Sequence, residues 1–395
     1  MILSLRREGI ARLSEFVRDL AQAGALTQEA YRRWRKDPRN AKRMAEYFDY
    51  TNLEGVPSIT ALVGLDFHPR LPLLMFNYSP LAHNTLHASP HGWTPALRMC
   101  RGIVFNHAGI LVAHPYPKFF NLNEHPETEL GVLLARCNNS YPWSATDKLD
   151  GHCGIIFSYQ DELIVTTRGR FTSPSAQLAT EILYAHEQNG WKKSFLSDWT
   201  LIVEIIDPKT KVHVEYGDQS GFVLTGAFHR VTFEDASPAL VDQLSNQLRI
   251  PAAKRFLPSV VHQSIGDALR DLVKSMKDRS VRNKEGWVIR FEDGTRVKVK
   301  YETYIQLMVV SKLSPSYLMR RMMSGNLDRM LGTLDEEIVS HANELLGRIV
   351  RVLFMNVSVK EQRQYLYGLV PPEESTSYYR SVCREFLNSL TVFHS

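Results

Sequence analysis

Four cysteines, Cys100, Cys137, Cys153 and Cys383, are spread along 395 residues. None forms a CxxC pair, which excludes a disulfide framework and the usual zinc spacings. Sparse unpaired cysteine suits a reducing compartment. No run of about 18 apolar residues occurs, so no segment is expected to span a membrane. The opening stretch MILSLRREGIARLSEF meets charge too early for a secretory signal. With 22 Gly and 19 Pro, long disordered tracts are not expected. No GxGxxG and no GxxxxGK[ST] is present, which excludes a Rossmann cofactor site and a P-loop. Net charge is only +5, which permits a polyanionic partner without demanding one.

What is present changes character twice along the chain. Ile2, Leu5, Ile10, Leu13, Phe16, Val17 and Leu20 recur at near-helical spacing. The next segment holds seven cations between Arg32 and Arg43 against one acid, Asp37. Pro38 is expected to break or kink it. That segment reads as a solvated helix face, with a nucleic-acid surface as the alternative. From about 60 to 300, short β-rich runs alternate with turn signals: RGIVFNHAGILVAHP, GIIFSYQDELIVTTRG, TLIVEII, KVHVEYG, GFVLTGAF and GWVIRFEDGTRVKVKY. These predict antiparallel strands, with Asp293-Gly294 as a tight turn. Helical inserts are expected near 174–190 and 260–278. After about 303 the pattern is helical to the end. His83, His87 and His91 could line one helix face as metal ligands, but Ser89-Pro90 and Gly92 interrupt them and predict a polar loop.

Several residues carry potential chemistry. In TDKLDGHCG, an extended chain would project Lys148 and Asp150 together, and Gly151 would let backbone approach a ligand. A lysine attacks only when neutral. Glu204 lies in TLIVEIID, where a carboxylate needs a cation, a ligand or a metal. Arg296, Lys298 and Lys300 alternate onto one strand face, where a polyphosphate would relieve their repulsion. Arg101 and Lys118 add cations, and Phe119-Phe120 an aromatic pair that in isolation reads as core.

The order of RG, KFFNLNE, KLDG, a strand Glu, EG and KVK resembles the covalent nucleotidyltransferase superfamily of ligases and capping enzymes. Within it, FNYSP, LRMCRGIVF and PKFFNLNE ahead of KLDG resemble the phage T4-type RNA ligase 1 family, over about residues 70–305. The resemblance implies an α+β fold. A nucleotidyltransferase (adenylyltransferase) domain of antiparallel sheets with flanking helices would span 61–303. A helical N-terminal segment (1–60) and an all-α C-terminal domain (304–395) would flank it. The helical end argues against the OB-fold that DNA ligases and capping enzymes append.

The resemblance implies an ATP-dependent RNA ligase that works through lysyl-AMP on Lys148 and an adenylylated RNA end. Lys298 and Lys300 match the paired lysines at the α-phosphate and count as catalytic. Tyr78, Arg101, Lys118, Phe120, Asp150, Gly151, Glu204, Glu285 and Gly286 match nucleotide-binding positions. Glu204 and Glu285 also match metal-associated acids for Mg²⁺ or Mn²⁺. Arg168-Gly169 stands where relatives carry Lys-Gly, and Arg can still hold phosphate. The implied partner is RNA with 5′-phosphate and 3′-hydroxyl ends, with tRNA repair as one setting, handled by a monomer in the cytoplasm (the host's, for a viral protein). Two alternatives are a ligase that also accepts single-stranded DNA and a nucleic-acid-binding protein that has lost turnover.

Overall fold

The computed structural model describes residues 2–51, 56–88, 92–138, 143–188, 190–191, 196, 198–256, 264–331, 336–369 and 376–391. The chain divides into two compact units: residues 1–278 with 283–301, and residues 279–282 with 302–395.

The larger unit is mixed α+β, with three sheets among the described residues. The first is β1 (Val63–Phe67), β2 (Leu73–Tyr78), β3 (Arg101–Asn106) and β4 (Leu111–Ala113), in chain order and antiparallel. Period-2 alternation sends Leu74 and Phe76 to one face and Leu73 and Met75 to the other. Helices α1 (Ile2–Gln22), α2 (Gln28–Trp34) and α3 (Pro38–Tyr47) cover the first face through Leu13, Phe16, Tyr31 and Met44. The apolar spacing of α1 therefore forms a core face. Pro38 opens α3 instead of kinking it. It occupies the first turn, where its missing N–H costs nothing, and the Asp37 carboxylate caps Arg39 N–H at 2.9 Å. Helix α4 (Ile59–Leu62) leads into β1.

The other face of that sheet packs on a second, through Val104, Ile155, Phe157, Ile202 and Phe228. The second sheet runs β10 (Gly221–His229), β9 (Trp199–Ile206), β7 (His152–Tyr159), β8 (Glu162–Thr167). Its far side is covered by helices Pro174–Gln188 and Pro238–Leu248. The third sheet runs β11 (Arg255–Phe256), β6 (Trp143–Lys148), β12 (Gly286–Phe291), β13 (Arg296–Lys300), β5 (Phe120–Asn121). Only β13 and β5 pair in parallel among its ladders. Asp293-Gly294 makes the tight turn between β12 and β13, with Gly294 at φ +83°.

Two local expectations do not hold. KVHVEYG, Lys211–Gly217, is not a strand. The N–H groups of His213 and Val214 bond the Asp150 carboxylate at 2.7 and 2.8 Å, so they serve a turn rather than a ladder. The polar loop expected around the histidines is helical over α5 (Pro80–Ala88). Pro80 starts it and buried Ala82 and Leu86 anchor it in the core. Residues 89–91, including His91, lie outside the described residues.

The smaller unit is helical. Tyr379, Val382, Cys383 and Phe386 of helix Thr376–Thr391 form its core with Leu318, Met319, Ile349 and Leu366. No helix among the described residues is long and apolar enough to cross a membrane.

Candidate active site

A cleft of about 620 Å³ lies over the β6–β12–β13 face of the third sheet and reaches the second, a size suited to a small-molecule site. Strand register assembles its centre. Gly286 at the start of β12 pairs with Lys148 on one side and Lys300 on the other. Glu285, one residue earlier, is 4% exposed. One of its oxygens, Oε1, takes both amino groups, Lys148 Nζ at 2.8 Å and Lys300 Nζ at 2.9 Å. Two cations on one carboxylate oxygen leave a local excess of positive charge.

Glu204 approaches from β9, an interior strand, so it is not a solvated edge residue. Its Oε1 accepts the Gly151 N–H at 3.0 Å. Withdrawal from water pushes its carboxyl up to about 7; Lys148 opposes the shift and Glu285 adds to it. Glu204 and Glu285 therefore repel each other across Lys148. Among the described residues no group of three His, Cys, Asp or Glu could hold a metal alone. A pair of carboxylates does fit an ion such as Mg²⁺ that takes its remaining ligands from substrate phosphates and water.

The rest of the cleft lining is strongly cationic. Arg101, Lys118, Arg168 and Lys298 all line the cleft. Burial, then Arg101, Lys118 and Lys148, hold the Lys298 amine well below the usual lysine range. Its Nζ donates to Phe119 O at 3.1 Å and lies 4.5 Å from the Phe119 ring centroid. Burial also brings Lys118 down to about 8, against the pull of Glu124, whose carboxylate is 3.9 Å away. Lys118 sits against the rings of Phe120 and Trp93, at 4.7 and 5.3 Å. The Nε of Arg101 is buried with no hydrogen-bond partner among the described residues. Mutual repulsion of buried cations is relieved by a bound polyanion.

The structure thus gathers Lys148, Lys298, Lys300, Arg101, Lys118, Gly151, Glu204 and Glu285 around one cleft. Four other expected positions stand elsewhere. Asp150 does not project with Lys148, because β6 ends at Lys148 and the chain turns. Its carboxylate holds the 213–214 loop, and its own N–H donates to Tyr216 Oη at 2.9 Å. Phe120 is fully buried, stacked on His125 with ring centroids 4.2 Å apart, and its neighbour Phe119 lines the cleft instead. Tyr78 stands behind Arg168, accepting from its Nη1 at 3.2 Å. Gly286 acts as a spacer between the two lysine strands.

Arg296 shares the face of Lys298 and Lys300 but is not a free cation. It bonds Asp235 at 2.7 Å, as Arg290 does at 3.0 Å. Asp235 is 61 residues away in sequence and carries no local signal.

The raised Glu204 carboxyl fixes a pH dependence. Below about pH 4.5 the folded and unfolded states both hold its proton. Between 4.5 and about 7 only the folded state does, so stability falls with rising pH. The loss is complete above 7. Glu204→Gln is therefore expected to stabilise the fold by about 2 kcal/mol more at pH 8 than at pH 5.5, from about 1.4 kcal/mol per pKa unit. Thermal melts of both proteins at the two pH values check this. An equal shift at both pH values would remove the desolvation argument.

Comparison with known proteins finds the following similarities. The family profile for RNA ligases of the T4 RNA ligase 1 type matches residues 99–305. A Thermovibrio ammonificans protein described as "Putative RNA ligase" is 24% identical over 321 residues, covering 76% of this chain and 79% of its own. RNA ligase 1 of Bacteriophage TS2126 is 24% identical over 135 residues, 33% of this chain and 34% of its own. An archaeal ATP-dependent RNA ligase structure is similar at a TM-score of 0.42 and 16% identity, over 74% of this chain and 77% of the other.

Proposed function

This chain belongs to the RNA ligase family of the T4 RNA ligase 1 type, which matches just over half of it, and from that premise we propose that it joins RNA ends at the expense of ATP through an AMP carried on Lys148. The observation that carries the reading is the pairing of Lys148 and Lys300 on one Glu285 oxygen, in a cleft lined by four further cations, Arg101, Lys118, Arg168 and Lys298. A triphosphate answers that excess charge.

In the first step the neutral Lys148 amine attacks the α-phosphorus of ATP. The bond from that phosphorus to the α–β bridging oxygen breaks and pyrophosphate leaves, while the nitrogen gives its one surplus proton to solvent. Splitting the condensation this way makes each barrier smaller. Lys298 and Lys300 hold the α-phosphate, and Arg101, Lys118 and Arg168 the outer phosphates. Arrival of the polyanion restores the proton affinity that burial removes from Lys298, which equips it to protonate the leaving pyrophosphate. Next, a 5′-phosphate oxygen of RNA attacks the lysyl-AMP phosphorus, the P–N bond breaks, and the nitrogen takes back one proton from solvent as it departs as the amine. Finally a 3′-hydroxyl oxygen attacks the activated 5′-phosphate, loses its proton, and AMP leaves. Glu204 and Glu285 are the residues that would hold a divalent cation. When bound, such an ion supplies counter-charge to the phosphates.

In this reading the adenylation domain spans residues 61–303, and 304–395 form a separate helical domain. Tyr78 acts by bracing Arg168, Asp150 by fixing the nucleophile turn, and Phe120 by forming the floor under Lys118.

The test is adduct formation. With Mg²⁺, ATP labelled at the α-phosphate should leave label on the denatured protein, and ATP labelled at the γ-phosphate should not. A protein that stays unlabelled by α-labelled ATP overturns the reading and favours a binding module without turnover. Joining of single-stranded DNA in parallel with RNA would identify the broader ligase.

A further inference from the structure

Helices α2 and α3 turn an unusually charged surface outward. Residues 28–47 hold seven cations against three acids, an excess of four in a chain whose net charge is +5. The inward side is apolar: Tyr31, Met44 and Ala45 are buried, and Trp34 and Tyr47 pack against the same core. The cations lie on the outer side, where Arg32, Lys36, Arg39 and Lys42 are exposed. Some have acids to hand, as Arg39 has Asp37 at 2.7 Å and Arg33 has Glu29 at 3.8 Å. Arg32, Lys36 and Lys42 have no acidic partner among the described residues. Single exposed cations cost little. A concentration of this kind, held by a packed apolar face, creates a local positive field.

A chain of contacts also links these helices to the cleft. The Arg35 guanidinium, just after α2, donates to Thr60 O in α4. Helix α4 runs into β1, where Val63 pairs with Tyr78 of β2, and Ser79 N–H donates to Leu62 O at 2.7 Å. The Tyr78 hydroxyl takes the Arg168 guanidinium at 3.2 Å, and Arg168 lines the cleft. The basic surface is thus tied to a cleft residue, Arg168, through Thr60, Leu62 and Tyr78.

We propose that the α2–α3 surface docks the phosphodiester backbone of the RNA strand whose end lies in the cleft. The inference rests on the ligase reading for the identity of the strand, but not for its test. Phosphate contacts position a strand without reading its sequence, so the surface should bind single-stranded RNA of any sequence. Neutralised phosphates release counterions, and for single strands the slope of log K against log salt changes by about 0.7 per contact.

The experiment uses the full chain carrying Arg32→Ala, Lys36→Ala and Lys42→Ala together. None of these residues lines the cleft; alanine keeps helix propensity at Arg32 and Lys42, and Lys36 lies in the turn between the helices. Fluorescence anisotropy with a 5′-phosphorylated single-stranded RNA, over a salt series, reads the affinity. The expected result is at least tenfold weaker binding at about 0.05 M salt and a salt slope shallower by about 2. Adduct formation from α-labelled ATP and the thermal melt should match the unaltered protein. An unchanged slope and affinity would overturn the proposal and leave a solvated helix face. If the unaltered protein forms no adduct, the ligase reading fails, while the anisotropy series still decides the docking surface.

Discussion

Lys148→Ala is expected to abolish the covalent AMP adduct and to lower ATP-dependent joining at least a thousandfold, yet to join an RNA whose 5′ end already carries AMP at a rate within about tenfold of the unaltered protein. The two halves of this result follow from where the amine acts. It supplies the attacking lone pair in the first step and departs in the second. In the third step the AMP is on the RNA, and only charge and placement remain to be supplied. Those come from Lys298, Lys300, Arg101 and Glu204, which line the cleft, and from Glu285 paired with Lys300, all of which the substitution leaves in place. Lys148 is not part of the packed core, since its side chain is 21% exposed. Loss of a fold is therefore not the expected cause of inactivity, and an unchanged thermal melt checks that. Retained label would identify another nucleophile. Loss of joining on pre-adenylylated RNA, with the melt unchanged, would show that the amine also serves the last step.

The parts legible in sequence are those governed by local period. The alternation in GWVIRFEDGTRVKVKY and the Asp293-Gly294 turn gave β12 and β13, and with them the shared face of Lys298 and Lys300. The apolar spacing of Ile10, Leu13 and Val17 likewise became a buried helix face. The errors arose where a local pattern met a distant partner. Lys148 and Asp150 are two residues apart and would share a face in a continuing strand. The strand stops at Lys148, so Asp150 turns to the 213–214 backbone. That single turn also explains why KVHVEYG, rich in β-forming residues, is not a strand. Phe119 and Phe120 differ by one position, and pleat parity alone assigns one to the cleft and the other to the core. Arg296 reads as a phosphate ligand until Asp235 is seen beside it. Each of these depends on contacts made across 60 or more residues, or on where a ladder ends, and neither is written in a short window.

Gly286→Ala should be the most damaging small substitution in the sheet, costing about 3 kcal/mol or more of stability and at least a hundredfold in adduct formation. Gly286 has φ +152°, a conformation that side chains rarely adopt, and a Cβ there would lie 2.0 Å from Val299 O. The obstacle is backbone of the neighbouring strand, not the end of a flexible side chain. Relief therefore requires β12 to move away from β13. That motion breaks the register that sets Gly286 between Lys148 and Lys300, and it strains the Tyr301 N–H bond to Glu285 O, now 3.0 Å. Glu285 then no longer reaches both amines from one oxygen. In a unit of this size such a cost should lower the melting temperature by roughly 6–12 °C, at 2–4 °C per kcal/mol. Excess ATP should not restore the rate, because the fault lies in the placement of the amines and not in occupancy. Gly131→Ala is the control. Gly131 lies in helix Leu130–Asn138 with nothing within 4 Å of an added Cβ, so alanine there should be neutral or stabilising by up to about 1 kcal/mol. Wild-type adduct rates and melting in Gly286→Ala would show that the sheet absorbs the methyl group and that the spacing of the two lysines does not depend on this glycine.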